Sequence, residues 1–156
     1  MSLKDGTKKM SKSELSDLSR INLTDDKDTI INKIKRAKTD IYPLPSSIEE
    51  LRKRPEARNL LGIYSSLTNV SLDKTVKEFD GKNFSNFKEN LSQVLVEKIN
   101  PISKEIKKLI DNKEFLDKIL LDGHKKANDI AAKKVKKMQE IIGFWFKFLN
   151  KFQFKN

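Results

Sequence analysis

Residues 83–110 read NFSNFKENLSQVLVEKINPISKEIKKLI. Phe84, Phe87, Leu91, Val94, Leu95, Ile99, Ile102, Ile106 and Leu109 recur three or four apart along this stretch. That period puts them on one face of a helix. Pro101 lacks an amide donor and crowds the turn before it, so the spacing predicts a kink there or a split into two helices.

Helical spacing continues on both sides. Thr24, followed by Asp25, Asp26 and Asp28, suits an N-cap with an acidic first turn. Ile30, Ile31, Ile34 and Ala37 then predict a helix over 25–38. Tyr42-Pro43-Leu44-Pro45 breaks it as a stiff connector. Ser47 with Glu50 is a capping box for a short helix to Lys53. Pro55 suits the first turn of the next helix, whose apolar face is Leu60, Leu61, Tyr64 and Leu67 and which Asn69 ends. Ser71 opens a helix with Leu72, Val76 and Phe79 inward, closed by Asp80-Gly81. After residue 110 the pattern predicts one helix over 114–122, stopped by Gly123, and another over 124–142. No period-2 strand is evident before the tail. The fold class expected is mainly α, a helical bundle.

Composition narrows the function classes. The chain has 156 residues, net charge +11 and no cysteine. Disulfides, zinc fingers and iron–sulfur clusters are excluded. One histidine, His124, leaves no multi-histidine metal site. No apolar run reaches the roughly 18–20 residues of a membrane span, and no secretory signal is evident. A soluble intracellular protein with an anionic partner is the expectation. Lysine far outnumbers arginine, which stands only at Arg20, Arg36, Arg52, Arg54 and Arg58. AT-rich coding produces that bias without functional meaning, whereas nucleic acid binding uses the same charge to release counterions. Charge alone does not decide between the two.

The stretch with most chemistry is Lys9-Met10-Ser11-Lys12-Ser13, preceded by Gly6-Thr7-Lys8. Two ammonium groups three residues apart, flanked by hydroxyls, suit a mobile phosphate clamp. Such a loop would deliver charge to a departing pyrophosphate as it closes. A lysine-rich flexible segment is the plainer reading.

The string itself resembles the second signature of class I aminoacyl-tRNA synthetases. The run from Met1 to Ser13 resembles the approach to that loop in bacterial-type tryptophanyl-tRNA synthetases. So do Ser19-Arg20-Ile21-Asn22-Leu23 and Ile34-Lys35-Arg36-Ala37-Lys38-Thr39-Asp40. Further landmarks are Arg54-Pro55-Glu56-Ala57-Arg58-Asn59-Leu60-Leu61, Phe79-Asp80-Gly81-Lys82-Asn83-Phe84 with Phe87-Lys88, and Asn100-Pro101-Ile102. The last is Asp122-Gly123 with Lys126-Ala127 and Ile130-Ala131. The likeness is collinear over about residues 1–145.

The resemblance implies an enzyme that joins tryptophan to its tRNA at the expense of ATP. It implies a Rossmann-type catalytic domain followed by a helical domain that reads the anticodon. Lys9, Met10, Ser11, Lys12 and Ser13 would contact ATP, with Mg2+ expected. Lys12 would be the main stabiliser of the leaving pyrophosphate and Lys9 its assistant. Residues 1–20 would be the remnant of the catalytic domain. Residues 21–143 would be the connector and anticodon-binding domain, and 144–156 an extension. The expected partner is tRNA(Trp), in the cytoplasm. Tryptophan and ATP would bind only together with the missing catalytic half. The family is homodimeric, through contacts largely in that half.

Two departures bear on activity. The first signature, His-x-Gly-His, is absent, since Lys125 follows the only histidine. No Gly-x-Gly turn occurs. The sequence therefore resembles roughly the C-terminal half of the enzyme. Ile41-Tyr42 also departs from the small or acidic residues usual after Thr39-Asp40.

Lys33, Lys35, Arg36 and Lys38 form a basic helix end, read either as complementing the helix dipole or as contacting RNA phosphate. Arg52, Arg54 and Arg58, with Lys53, form a second cluster open to the same readings. No metal site is expected. Residues 144–156 hold five of the nine phenylalanines and the only tryptophan. They suit an interfacial helix, an aggregating strand, unselected read-through, or docking onto the catalytic half. The leading expectation is a fragment of a tryptophan–tRNA ligase, inactive alone. A stand-alone basic tRNA-binding module is the alternative, and a membrane-surface protein the third.

Overall fold

The computed structural model describes residues 1–143; the aromatic tail, 144–156, lies outside the described residues. The chain forms two compact units, Met1–Lys108 and a second from Leu109 onward. Residues 1–20 fold within the first. Six α-helices and one 3-10 turn, Asp17–Ser19, are present among the described residues.

Helix α1 is Lys27–Lys35. It is shorter than the predicted 25–38, for a local reason at each end. Asp26, not Thr24, is the cap: its carboxylate accepts from the Thr29 amide at 2.8 Å. At the other end the Lys38 amide leaves the helical pattern and donates to Leu3 O at 2.8 Å. Ile30 and Ile34 point fully inward.

The connector behaves as its prolines require. Leu44 and Pro45 are buried. The Leu44 amide donates to Lys82 O at 2.9 Å and the Leu44 carbonyl accepts from Gly81 N at 3.4 Å, which pins the connector to the turn after α4. Helix α2, Ile48–Arg52, starts as the capping box predicts: Ser47 Oγ accepts from the Glu50 amide. The Glu50 carboxylate takes the Ser46 amide in return. Helix α3, Pro55–Thr68, has its proline in the first turn and ends at Asn69 in the left-handed region, φ 56°. Helix α4 is Leu72–Glu78, and Gly81 at φ +66° turns the chain back.

Helix α5, Phe84–Asp111, contains Pro101 and is not split. Of the two outcomes expected at Pro101, the split into two helices does not occur, because both sides of the proline are held. Ile99 and Ser103 are buried, so packing offsets the roughly 3 kcal/mol an interior proline costs. The core of the first unit gathers around this helix. Phe87 and Leu91 are fully buried against Ile30, Ile34, Leu60 and Leu61. Tyr64, Phe79 and Phe87 pack edge-on, with centroids 5.0 and 4.8 Å apart along the chain of contacts.

Helix α6, Lys113–Ile141, is capped by Asn112, whose side chain accepts from the Phe115 amide. It is one helix, not the expected two. Gly123 costs about 1 kcal/mol against alanine in a helix, too little to stop one this long. The glycine that terminates it is Gly143, at φ +73°. Taken by itself, α6 has no buried residue. No helix of the described residues is long and apolar enough to cross a membrane.

Candidate functional site

The loop of Lys9–Ser13 rises from a base sewn into the first unit by main-chain bonds. The Leu3 amide donates to Ser19 O at 2.8 Å, and Ser2 N donates to Lys8 O at 2.9 Å. Leu3 is buried in the core, a role its place in a polar segment did not suggest. Asn59 of α3 donates to Ser2 O at 3.0 Å. Asp5 closes a turn by accepting from both the amide and the hydroxyl of Thr7. The hydroxyl, and then the amide, hold that carboxyl below its ordinary value.

Gly6 lies against the start of α3. A Cβ there would sit 2.6 Å from the Pro55 carbonyl carbon and oxygen, and 2.7 Å from the Glu56 nitrogen. Backbone cannot yield as a side-chain tip can. Gly6→Ala is therefore expected to lift the loop base from α3, with a loss of about 1–3 kcal/mol. Urea unfolding measures it, and an unchanged midpoint would refute the close approach.

Above this base all five residues of the loop are exposed. Ser11 Oγ lies 2.9 Å from Ser13 Oγ and accepts from the Ser13 amide at 3.3 Å. Arg20 reaches under the turn. Its Nη1 donates to Ser11 O at 3.4 Å and Glu14 O at 3.2 Å. Its Nη2 pairs with Asp17 at 3.0 Å, and Nε donates to Asn22. Both lysines thus project to solvent from a turn with two hydroxyls, an arrangement able to gather the oxygens of a polyphosphate. Among the described residues no three His, Cys, Asp or Glu side chains are placed to share a metal ion.

The seven proposed RNA contacts separate into two kinds. Lys33 is a correction: it is an interior cation. Its side chain is 2% exposed, and its Nζ lies 2.7 Å from Asp25 and 2.5 Å from Asp17. It lies on the inward stripe of α1 with Ile30 and Ile34, so no phosphate can reach it. The Lys33 hydrogen bond, then that of Asn22, pulls the Asp17 carboxyl below its usual range.

Arg54 is a second correction. Its guanidinium is forked onto Asp40 at 2.9 and 2.6 Å and also donates to Pro43 O, Tyr42 O and Glu50. It stacks about 6 Å from the Tyr42 and Phe84 rings. Every direction it could offer a phosphate is occupied. It fastens the connector whose Ile41-Tyr42 looked unusual.

The remaining five stay at the surface. Lys35 and Arg36 are exposed at the end of α1. Lys38 is exposed and pairs with Glu56 at 3.0 Å. Arg52 and Arg58 line one groove of about 680 Å3, together with Gly6 and Asn59. Sequence reasoning missed Arg20, Asp17, Asp25 and Gly6. The available signal was Arg20 itself, an arginine among lysines just after the loop, where a planar fork is wanted.

Comparison with known proteins gives a consistent result. The chain matches the family described as "tRNA synthetases class I (W and Y)" over residues 1–100. It is 50% identical over 144 residues to the tryptophan–tRNA ligase of Agrobacterium fabrum, covering 92% of this chain and 41% of that protein. It is 46% identical to the tryptophan–tRNA ligase of Brucella melitensis, with the same coverages. The crystal structure of tryptophanyl-tRNA synthetase from Mycoplasma pneumoniae superposes with TM-score 0.69 at 25% identity, covering 93% of this chain and 45% of that one. The chain thus spans about two fifths of the length of the curated relatives it matches.

Proposed function

Because this chain belongs to the class I tRNA synthetase family for tryptophan and tyrosine, we propose that it is the ATP-clamping and tRNA-binding portion of a tryptophan–tRNA ligase of the cytoplasm. The observation that carries this reading is the exposed Lys9–Ser13 turn mounted on a rigid helical base. Residues 1–20 supply the catalytic part, and residues 21–143 the connector and the helices that bind tRNA(Trp).

In the reaction the tryptophan carboxylate attacks the α-phosphate of ATP, and pyrophosphate departs. Negative charge grows on the β and γ oxygens as the bond breaks. Lys12 meets that charge and Lys9 shares it, while Ser11 and Ser13 donate to phosphate oxygens. An ammonium that approaches as the charge develops stabilises the transition state more than the bound substrate. Mg2+ would arrive with the nucleotide, held largely by phosphate oxygens and water. The clamp's chemistry here stands on its lysines and hydroxyls. Of the seven cations, Lys35, Arg36, Arg52 and Arg58 stand exposed to meet tRNA phosphates, with Lys38 beside them in its surface pair with Glu56.

The sequence lacks His-x-Gly-His, so these 156 residues alone are not expected to activate tryptophan. Tryptophan-dependent ATP–pyrophosphate exchange is expected only when a segment with that signature is supplied. There, Lys12→Ala is expected to slow exchange about a hundredfold with little change in tryptophan affinity. Exchange by the chain alone, or an unaffected Lys12→Ala enzyme, would sink the reading. Binding to tRNA(Trp) is expected to weaken steeply with salt and to depend on the anticodon. Equal affinity for any RNA would leave only non-specific charge.

A further inference from the structure

The two lysines of the loop are mounted differently. Lys12 lies in the turn spanned by the Ser11 and Glu14 carbonyls, and Arg20 Nη1 holds both. Lys9 and Met10 make no hydrogen bond among the described residues. Arg20 in turn is not free to wander. Asp17 holds its Nη2 at 3.0 Å, and Asn22, which donates to Asp17 and Asp25, holds its Nε. Asp17 is gripped from the far side by Lys33, a buried residue of α1 that also binds Asp25. The chain of contacts therefore runs from the loop turn to the interior face of α1 through Arg20, Asp17 and Lys33, with Asp25 as a second partner of Lys33.

We propose that Arg20 is a positioning residue for the ATP clamp, set by Asp17 and Lys33. It holds Lys12 ready while Lys9 stays free to follow the nucleotide. An arginine suits the task because one rigid fork addresses two carbonyls and a carboxylate together. A lysine in its place keeps the charge but not that geometry. These groups join a helix of the proposed tRNA-binding part to the loop, so the register of α1 fixes where Lys12 stands. This inference rests on the reading of the loop as an ATP clamp.

The test is nitrogen-15 relaxation and amide exchange on the 156-residue chain. In the unaltered protein, Ser11 to Glu14 are expected to show order parameters near the rigid value of about 0.85, with Lys9 and Met10 below about 0.6. Equal mobility across the loop would overturn the proposal without any variant. Arg20→Lys is expected to speed exchange at Ser13 and Glu14 about tenfold, with amides of α3 and α5 unchanged. Asp17→Asn, which keeps an acceptor for Lys33, is expected to give a smaller rise at the same amides. A rise shared by α3 and α5 would mean that Arg20 merely supports the fold, and the proposal would fall. Addition of inorganic pyrophosphate separates the two readings. Shifts at Lys9 and Lys12 are expected if the loop clamps phosphate. Their absence beside a rigid Ser11–Glu14 turn would reject the clamp and leave the brace standing.

Discussion

Lys33→Met lowers the unfolding free energy by about 3–5 kcal/mol, the range for removing one partner of a buried ion pair. The size follows from what is left behind. Asp25 is 8% exposed and would keep only the backbone and side-chain amides of Asn22 as donors. A carboxylate held away from water with no cation is among the costliest states in a protein interior. Asp17 matters less, because it is half exposed and water can take over from Lys33. The double variant Lys33→Met with Asp25→Asn should therefore recover a substantial share of the loss, since both charges leave together. Urea unfolding of the single and double variants decides it. A single-variant loss below about 1 kcal/mol would place the pair with ordinary surface salt bridges.

Arg54→Ala follows, with an expected loss of about 3 kcal/mol. The side chain is 12% exposed and holds Asp40, Glu50 and two connector carbonyls at once. Its removal frees the connector at Tyr42 and Pro43 and leaves Asp40 without its forked partner. Acid titration gives an independent sign. Burial is the largest influence on the Asp40 carboxyl and works to raise it, but the Arg54 hydrogen bonds, the Tyr42 amide and the Arg54 charge together outweigh it, so the group lies below its ordinary 3.8. Below that value the unfolded chain binds the proton first. Stability from the pair is thus complete above about pH 5 and is lost as pH falls through the folded value. Asp40→Asn should flatten the acid limb of the stability curve. A limb of unchanged slope would show that Arg54 does not hold Asp40 ionised.

The helices of the first unit were legible because their apolar residues keep a helical period and most caps are polar residues of the expected kind. Ser47 and Asn69 act as read. Gly123 did not stop its helix and Pro101 did not split its own, because each is a local penalty of a few kcal/mol at most, and long helices absorb such penalties. Lys33 shows a subtler limit. Its residue type announced a surface cation, whereas its spacing from Ile30 and Ile34 put it on the buried stripe. Spacing was the better guide, with Asp17 and Asp25 upstream as candidate counterions. Arg54 could not be read this way, since it stands outside any periodic segment, just before Pro55. The family resemblance of the loop was legible from its string together with the landmarks around it. Its support was not, because Arg20 is joined to Ser11 and Glu14 only through folded geometry.

The bond from the Leu3 amide to Ser19 O brings the two ends of residues 4–18 together at one point of the scaffold. Such a closed ring is entropically tolerant of changes in circumference: doubling its length adds only about 0.6 kcal/mol. Residues could be inserted or replaced at the rim between Lys8 and Ser11 while the helices register nothing. A change of length at that outer edge therefore costs the scaffold little, while the Ser11–Glu14 turn stays tied to α1 through Arg20, Asp17 and Lys33.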